Sequence, residues 1–448
     1  MAPHPLQQTT AKLSQSYEKI RASGLRISIL KVEMKIAIVG AGVVGIATAY
    51  ELADSGHQVT VYEKNAAASE AASFANGGIH SSSFTLPLTG SAFHGNRSSR
   101  LVQAIRQLSQ PRWTNTTNLS WLWQRSATCS PDALSTRIAF AQQMARLGLE
   151  ISDHWMAHHQ WEVEQSEGQL ILLSNESELE SYSGVLHALK EAEQSYRLLE
   201  RAELDSLEPA LHGADGIFKA IHIQGDRVMN CRQFALLAKQ AAQHNGTSFQ
   251  FDAEVTAISS QGKPQVRLGN GETQSFDQVV VCTEAIPPDD LLKLSTRAPT
   301  ARMDSYAVSV AIREPLNAPR SAVQDHKSGI TISRIGKRLR VCGGAELNPT
   351  GKMEHDKRMV DKLFRTLDQH FPGAANYPAG TQVWRGSRTF TTDGLPVIGS
   401  AGLPGIWLNV AHGASGWSFA TASARLLSEQ IMGKKTSLPC ELISPQRF

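Results

Sequence analysis

Lys35-Ile36-Ala37-Ile38-Val39, Gly40-Ala41-Gly42-Val43-Val44-Gly45 and, after an apolar helical stretch, Gln58-Val59-Thr60-Val61-Tyr62-Glu63 decide how this chain begins to fold. A glycine-rich loop alone is a weak sign. Here a β-branched strand precedes it, and a helix, a second strand and an acidic residue follow it, which completes a dinucleotide-binding βαβ unit. The apolar run fits a parallel strand buried on both faces. Gly40 permits the tight turn, Gly42 lets backbone approach a pyrophosphate, and Gly45 seats the helix close on the strand. The N–H groups of Val43, Val44 and Gly45 then face the phosphates at a helix N-terminus. Glu63 stands where a carboxylate accepts ribose hydroxyls.

The chain of 448 residues is long enough for two domains. Its net charge of +3 gives no electrostatic case for nucleic acid. Five scattered cysteines without CxxC spacing argue against a disulfide framework or a zinc site, and no metal is expected. They suit a reducing, cytoplasmic setting. No apolar run reaches the ~18 residues of a membrane span outside the glycine-rich unit. Residues 1–33 are polar and mildly basic, without the apolar core of a secretory signal, and read as a loosely ordered extension. Met34-Lys35-Ile36 itself has the form of a beginning for such a fold.

Further along, helices are expected over 131–159, 176–201, 232–244, 352–371 and 416–432. Strands are expected over 168–173, 249–258, 265–268, 278–283, 305–312, 338–343, 396–398 and 406–410. Trp121 and Trp123 read as packing residues. βαβ segments at both ends enclose β-rich material, so the nucleotide domain is assembled from separated pieces. Two late segments, Trp384 to Gly399 and His412-Gly413-Ala414-Ser415-Gly416-Trp417, again place glycines at strand and helix turns, where N–H groups stabilise negative charge.

Together these marks resemble the D-amino-acid oxidase-like FAD oxidoreductases, and within them the small-subunit type of D-amino acid dehydrogenase. The resemblance runs from Met34 to about Arg447. It rests on the first glycine loop, Ser73-Phe74-Ala75-Asn76-Gly77, Leu119-Ser120-Trp121-Leu122-Trp123, Leu207-Glu208-Pro209-Ala210-Leu211 and Arg340-Val341-Cys342-Gly343-Gly344-Ala345-Glu346. Its most specific marks are Asp393-Gly394-Leu395-Pro396-Val397-Ile398-Gly399 and His412-Gly413 with Gly416-Trp417.

The resemblance implies an α/β (α+β overall) fold, a Rossmann-like FAD-binding domain interleaved with a β-rich substrate domain carrying helices. The FAD domain is drawn from 34–80, 225–300 and 380–435, the substrate domain from 81–224 and 301–379, and 436–448 is a C-terminal tail. FAD would touch Gly40, Gly42, Val43, Val44, Gly45, Glu63, Lys64, Ser73, Asn76, Gly77, Val255, Thr283, Gly386, Gly394, Gly413, Gly416 and Trp417. Arg388 would clamp a substrate carboxylate in the bidentate way a guanidinium allows. Tyr306 would assist it, His412 is a candidate base or packs on the cofactor, and Arg334 is a second candidate clamp.

The activity implied is oxidative deamination of D-amino acids to 2-oxo acids and ammonia, by hydride transfer from the α-carbon to flavin N5. The alternatives are an oxygen-using amine, imino-acid or glycine oxidase of the same family, and a flavin-binding subunit without catalysis. No second GxGxxG exists, so electrons would leave to oxygen, a quinone or an electron-transfer partner. The resemblance favours a respiratory acceptor and peripheral association with the inner face of the membrane.

Three departures bear on the site, the first on the FAD contact at Thr283 and the other two on the expected substrate pocket. Cys282-Thr283-Glu284 stands where relatives carry an Ala-Thr-Gly-like turn, Asp304-Ser305-Tyr306 where they carry Lys-Gly-Tyr, and Arg388-Thr389 where they carry Arg-Pro.

Overall fold

Strand Lys35–Val39 lies inside a six-stranded sheet, and its alternation explains its sequence. Ile36 and Ile38 pack into a helical layer with Ile46, Phe234, Trp155 and Phe419. Ala37 and Val39 face the other way, against Val266, Val279 and Leu408. Both faces are buried, so no polar alternation survives. The sheet order is Val397–Ser400, Ile406–Val410, Gln278–Val281, Lys35–Val39, Gln58–Tyr62, Ser248–Gln250, with only the first pair antiparallel. Helices Val43–Asp54, Cys231–His244 and Gly416–Ile431 supply one cover, and a three-stranded sheet built from Val255–Ser259, Gln265–Leu268 and Thr273–Ser275 supplies the other.

The second sheet has ten strands. Along its main path run Ala375–Asn376, Thr300–Ile312, Arg338–Leu347, Ile330–Ile335, Ala322–Asp325, Gln165–Leu173, Lys219–Met229 and Ile79–His80. Gln382–Thr391 pairs antiparallel with Thr300–Ile312, and Tyr196–Leu199 with Lys219–Met229. Helix Lys357–His370 buries Met359, Leu363 and Leu367 against Val308, Val310 and Val341. Strand Gln382–Thr391 then turns through Asp393-Gly394 into Val397–Ser400, so one continuous segment leads from the second sheet to the first.

The computed structural model describes residues 33–81, 97–106, 116–128, 131–191, 194–294, 297–347 and 356–448. Met34–Phe448 forms one compact unit. The extension expected over 1–33 lies, but for Glu33, outside the described residues. No helix among the described residues is long and apolar enough to cross a membrane.

Several boundaries differ from expectation. The domain boundary at 225 falls inside strand Lys219–Met229, whose Gly225-Asp226 interrupts the alternation that would have revealed it. Residues 382–391, expected in the FAD domain, belong to the second sheet, as does Ile79–His80. The single helix expected over 176–201 is two short helices, Glu176–Ser181 and Ser183–Glu191, then strand Tyr196–Leu199 and helix Arg201–Leu207. Glu203 accepts a hydrogen bond from the Glu200 N–H (3.2 Å) and so starts a new helix where the charge pattern suggested continuation.

The strand expected over 249–258 is broken at Asp252, which takes a left-handed φ of 53°, and its halves join different sheets. Trp121 is buried beside Leu122, Ala301 and Met303, as a packing residue is, but Trp123 is 45% exposed. The tail is tied down. Ile443 is buried and accepts from the Ile398 N–H (2.7 Å), while Arg447 pairs with Asp393 (2.8 Å).

Candidate active site

The three glycines of the first loop answer to different constraints. Gly40 has φ +108°, and a Cβ there would lie 2.8 Å from the Cys282 carbonyl oxygen. A Cβ at Gly45 would lie 2.0 Å from the Gly40 oxygen. Both must be glycine for the fold to close. A Cβ at Gly42 would meet only the Ser73 hydroxyl, at 3.5 Å, an ordinary contact. The protein itself leaves room for a Cβ at Gly42, whose backbone faces the cleft, so a glycine there suits close approach of a ligand.

Gly42 also caps helix Val43–Asp54 in extended geometry, without a side-chain hydrogen bond. The Val43 N–H reaches Ser73 Oγ (3.1 Å), which leaves the helix N-terminus otherwise open to an anion. Glu63 accepts from the Ala41 N–H through Oε2 (2.7 Å), and from the Asn65 N–H (3.0 Å) and Nδ2 (2.7 Å) through Oε1. These bonds fix the carboxylate at the cleft wall and leave lone pairs for hydroxyl donors.

The cleft measures about 480 Å³ and opens at the carboxyl ends of the parallel strands, where α/β sheets take ligands. It brings together Gly40, Gly42, Val43, Val44, Glu63, Lys64, Ser73, Asn76, Val255, Thr283, Arg388, His412, Gly413, Gly416 and Trp417. Six residues named from sequence lie outside its lining. Gly45 is buried within helix Val43–Asp54, facing the Gly40 carbonyl. Gly77 packs toward Cys342. Gly386 is glycine because a Cβ would enter the Trp384 ring, 1.5 Å from Cη2. Gly394 makes the turn after Thr391, with φ +81°. Tyr306 is buried on the other side of the second sheet's strands, where it donates to Glu346 (3.2 Å) and accepts from the Asp356 N–H (3.2 Å). Burial raises its hydroxyl pKa. Arg334, the second candidate clamp, is also absent from the lining.

Arg388 is half-buried at the cleft and makes no hydrogen bond or ion pair among the described residues. Burial lowers its pKa, opposed by Cys342 and Glu284, but a guanidinium stays charged. His412 is buried, with Nε2 unpartnered among the described residues, and burial pushes its pKa down to about 3. An imidazole so reluctant to take a proton is a poor base and a good neutral wall. Thr283 spends its hydroxyl on the Ala285 carbonyl (2.8 Å).

Sequence reading missed Glu284 and Asn409, both in the lining. Glu284 follows strand Gln278–Val281 directly at the ligand-binding edge of the sheet, and that position was the available signal. By surface area Glu284 is exposed, its side chain standing in the open cleft. The protein around that cleft pushes its carboxyl up to about 7 by desolvation, against the pull of Arg302, Arg388 and Lys64.

A cofactor with a pyrophosphate and a ribose fits this site. The open helix N-terminus and Glu63 suit its nucleotide half. In the same lining, Asn409 Oδ1, His412 Nε2 and Trp417 Nε1 are buried without partners among the described residues. Fold and cleft together suit a dinucleotide cofactor.

The FAD-dependent oxidoreductase family model named DAO matches residues 35–430, and the chain belongs to that family. FAD is its cofactor. Among solved structures, the chain is similar to glycine oxidase from Geobacillus kaustophilus, with 20% identity over 93% of this chain and 99% of that one and a TM-score of 0.71. It is also similar to iminodiacetate oxidase from Chelativorans sp. BNC1 (20% identity, 92% and 98% covered, TM-score 0.68). L-proline dehydrogenase from P. horikoshii matches at 17% identity, 93% and 98% coverage and TM-score 0.68.

Proposed function

We propose that this flavoenzyme oxidises the Cα–N bond of a small amino acid, a D-amino acid in the first instance, to the imine, which water converts to a 2-oxo acid and ammonia. The observation that carries the reading is Arg388, a cation without a partner among the described residues in the same cleft as the dinucleotide cradle. Its fork suits a carboxylate, and it would hold the substrate's Cα–H in a fixed direction. FAD supplies hydride acceptance when bound. Gly42, the open helix N-terminus and Glu63 would hold its nucleotide half, and Asn409, His412 and Trp417 would wall the reacting half. The neutral state of His412 suits this role, because loss of hydride from a neutral amine needs no strong base at Cα.

The test is anaerobic bleaching of the purified yellow protein with a panel of D- and L-amino acids, glycine, sarcosine and imino acids. D-Amino acids should bleach it fastest. Full colour with no bleaching by any member would remove the activity and leave a flavin-binding protein.

A second reading, an oxygen-using oxidase, draws support from the similarity to structures named glycine oxidase and iminodiacetate oxidase. Stoichiometric peroxide during turnover would favour it, and turnover only with a quinone or dye would favour a dehydrogenase passing electrons to a respiratory partner at a membrane surface.

A further inference from the structure

We propose that Glu284 receives the substrate's ammonium opposite Arg388 and takes the proton that the amine must shed before oxidation. The inference rests on the function proposed above. Glu284 and Arg388 line one cleft, and each acts on the other's charge, yet no ion pair joins them. Two opposite charges facing one cleft without closing on each other leave room for a ligand that is itself dipolar. An amino acid is such a ligand, with its carboxylate for the guanidinium and its ammonium for the carboxylate.

The loop that carries Glu284 is held in place, because its carbonyl accepts from the Ala411 N–H at 3.1 Å. The turn into His412 and the Glu284 loop are thereby tied together at the mouth of the first sheet. The charged groups that bear on Glu284 come from several neighbouring elements, and the acidic Glu63 and Glu254 line the same cleft. Lys64 follows strand Gln58–Tyr62, Arg302 and Asp304 come from Thr300–Ile312, and Arg388 comes from Gln382–Thr391. His412 lines the same cleft but remains neutral.

The step balances without an oxidant. An aliphatic ammonium is protonated near neutrality, and a nitrogen whose lone pair is occupied by a proton cannot assist hydride departure. The N–H bond breaks, the proton passes to a Glu284 Oε, the substrate becomes a neutral amine with its carboxylate still on Arg388, and the proton leaves later to water. A carboxyl that titrates near the working pH suits that exchange, and Glu284 is pushed up to about 7.

The test uses two ligands of nearly the same shape that cannot be oxidised. 2-Aminoisobutyrate carries carboxylate and ammonium but no Cα–H, and pivalate replaces the ammonium by a methyl group. Their dissociation constants are read from the perturbed flavin absorption of the FAD-bound protein. Wild type should prefer 2-aminoisobutyrate, and Glu284→Gln should shrink that preference by about tenfold or more, the loss expected for a charge-assisted hydrogen bond. Glu284→Asp should keep most of it. In wild type, raising the pH from about a unit below 7 to about a unit above should tighten 2-aminoisobutyrate and weaken pivalate, a reversal that needs no variant. A preference unchanged by Glu284→Gln, or parallel pH profiles for the two ligands, overturns the role of Glu284 while leaving Arg388 as the clamp. If neither ligand perturbs the flavin, the amino-acid reading falls and this inference with it.

Discussion

Arg385 and Arg388 sit three residues apart on one strand and live in opposite worlds. Arg385 is buried. Its Nη2 meets Asp304 Oδ2 at 2.8 Å and Glu346 Oε2 at 3.4 Å, and its guanidinium lies over the Tyr306 ring at 5.3 Å. Ser387 donates to Asp304 on the same side. Arg388 points to the other face of the strand, lies opposite Met303 in the neighbouring strand and opens onto the cleft without a partner among the described residues. One arginine answers charges the protein already holds, and the other faces the cleft with no such partner among the described residues. The Asp304-Ser305-Tyr306 segment, expected at the substrate pocket, sends Asp304 and Tyr306 to the structural side of this pair.

The largest expected effect breaks the structural side. Arg385→Leu takes the 2.8 Å ion pair from buried Asp304, which keeps Arg302 at 3.8 Å, and the 3.4 Å pair from Glu346, which should cost about 3–5 kcal/mol of stability, read from denaturant unfolding of the FAD-bound protein. A loss below about 1 kcal/mol would mean that the two carboxyls manage without it.

Next come the two halves of the nucleotide cradle. Gly42→Val should fold but release FAD, since a Cβ there meets only the Ser73 hydroxyl, at 3.5 Å, while the valine fills the approach to the helix N-terminus. Glu63→Ala should weaken FAD by roughly 1–3 kcal/mol through lost charge-assisted bonds. Stoichiometric FAD in folded Gly42→Val would show that this loop is not the cradle.

Arg388→Lys sharpens the comparison from the ligand side. Stability and FAD content should hold, while kcat/KM falls at least about tenfold, or ~1.4 kcal/mol, because an ammonium cannot reproduce the bidentate fork. Substrate amides should be poor substrates of wild type and lose much less on mutation. Equal losses for acid and amide would make Arg388 structural like its neighbour.

The smallest effect is a pH slope. Burial raises the Glu284 carboxyl from 4.5 to about 7, so the folded protein binds the proton more tightly than the unfolded chain. Its contribution to stability is therefore complete below about 4.5 and fades as pH rises toward about 7. Glu284→Gln should flatten that part of the apoprotein's stability profile, measured by denaturant midpoint against pH. An unchanged slope would place the carboxyl in open solvent.

Much of the nucleotide half was legible because its chemistry is local. Gly40 to Gly45 and Glu63 belong to one βαβ unit, in which spacing along the chain fixes spacing in space. The second sheet was less legible. Lys219–Met229 hid behind Gly225-Asp226, and charged residues between Glu176 and Arg201 imitated a single helix. The cleft's far wall needed contacts over long separations, such as Ala411 to Glu284 and Met303 opposite Arg388.

The sequence by itself determined the first sheet's buried strands, the glycine turn and the open helix N-terminus, because steric permission and burial on both faces act between near neighbours. Only the tertiary structure decided which of two arginines opens onto the cleft, that Tyr306 is kept out of its lining, and that Glu284 is part of it. A β-strand sends alternate side chains to opposite faces, and the face that becomes a cleft is chosen by the sheet that packs against it.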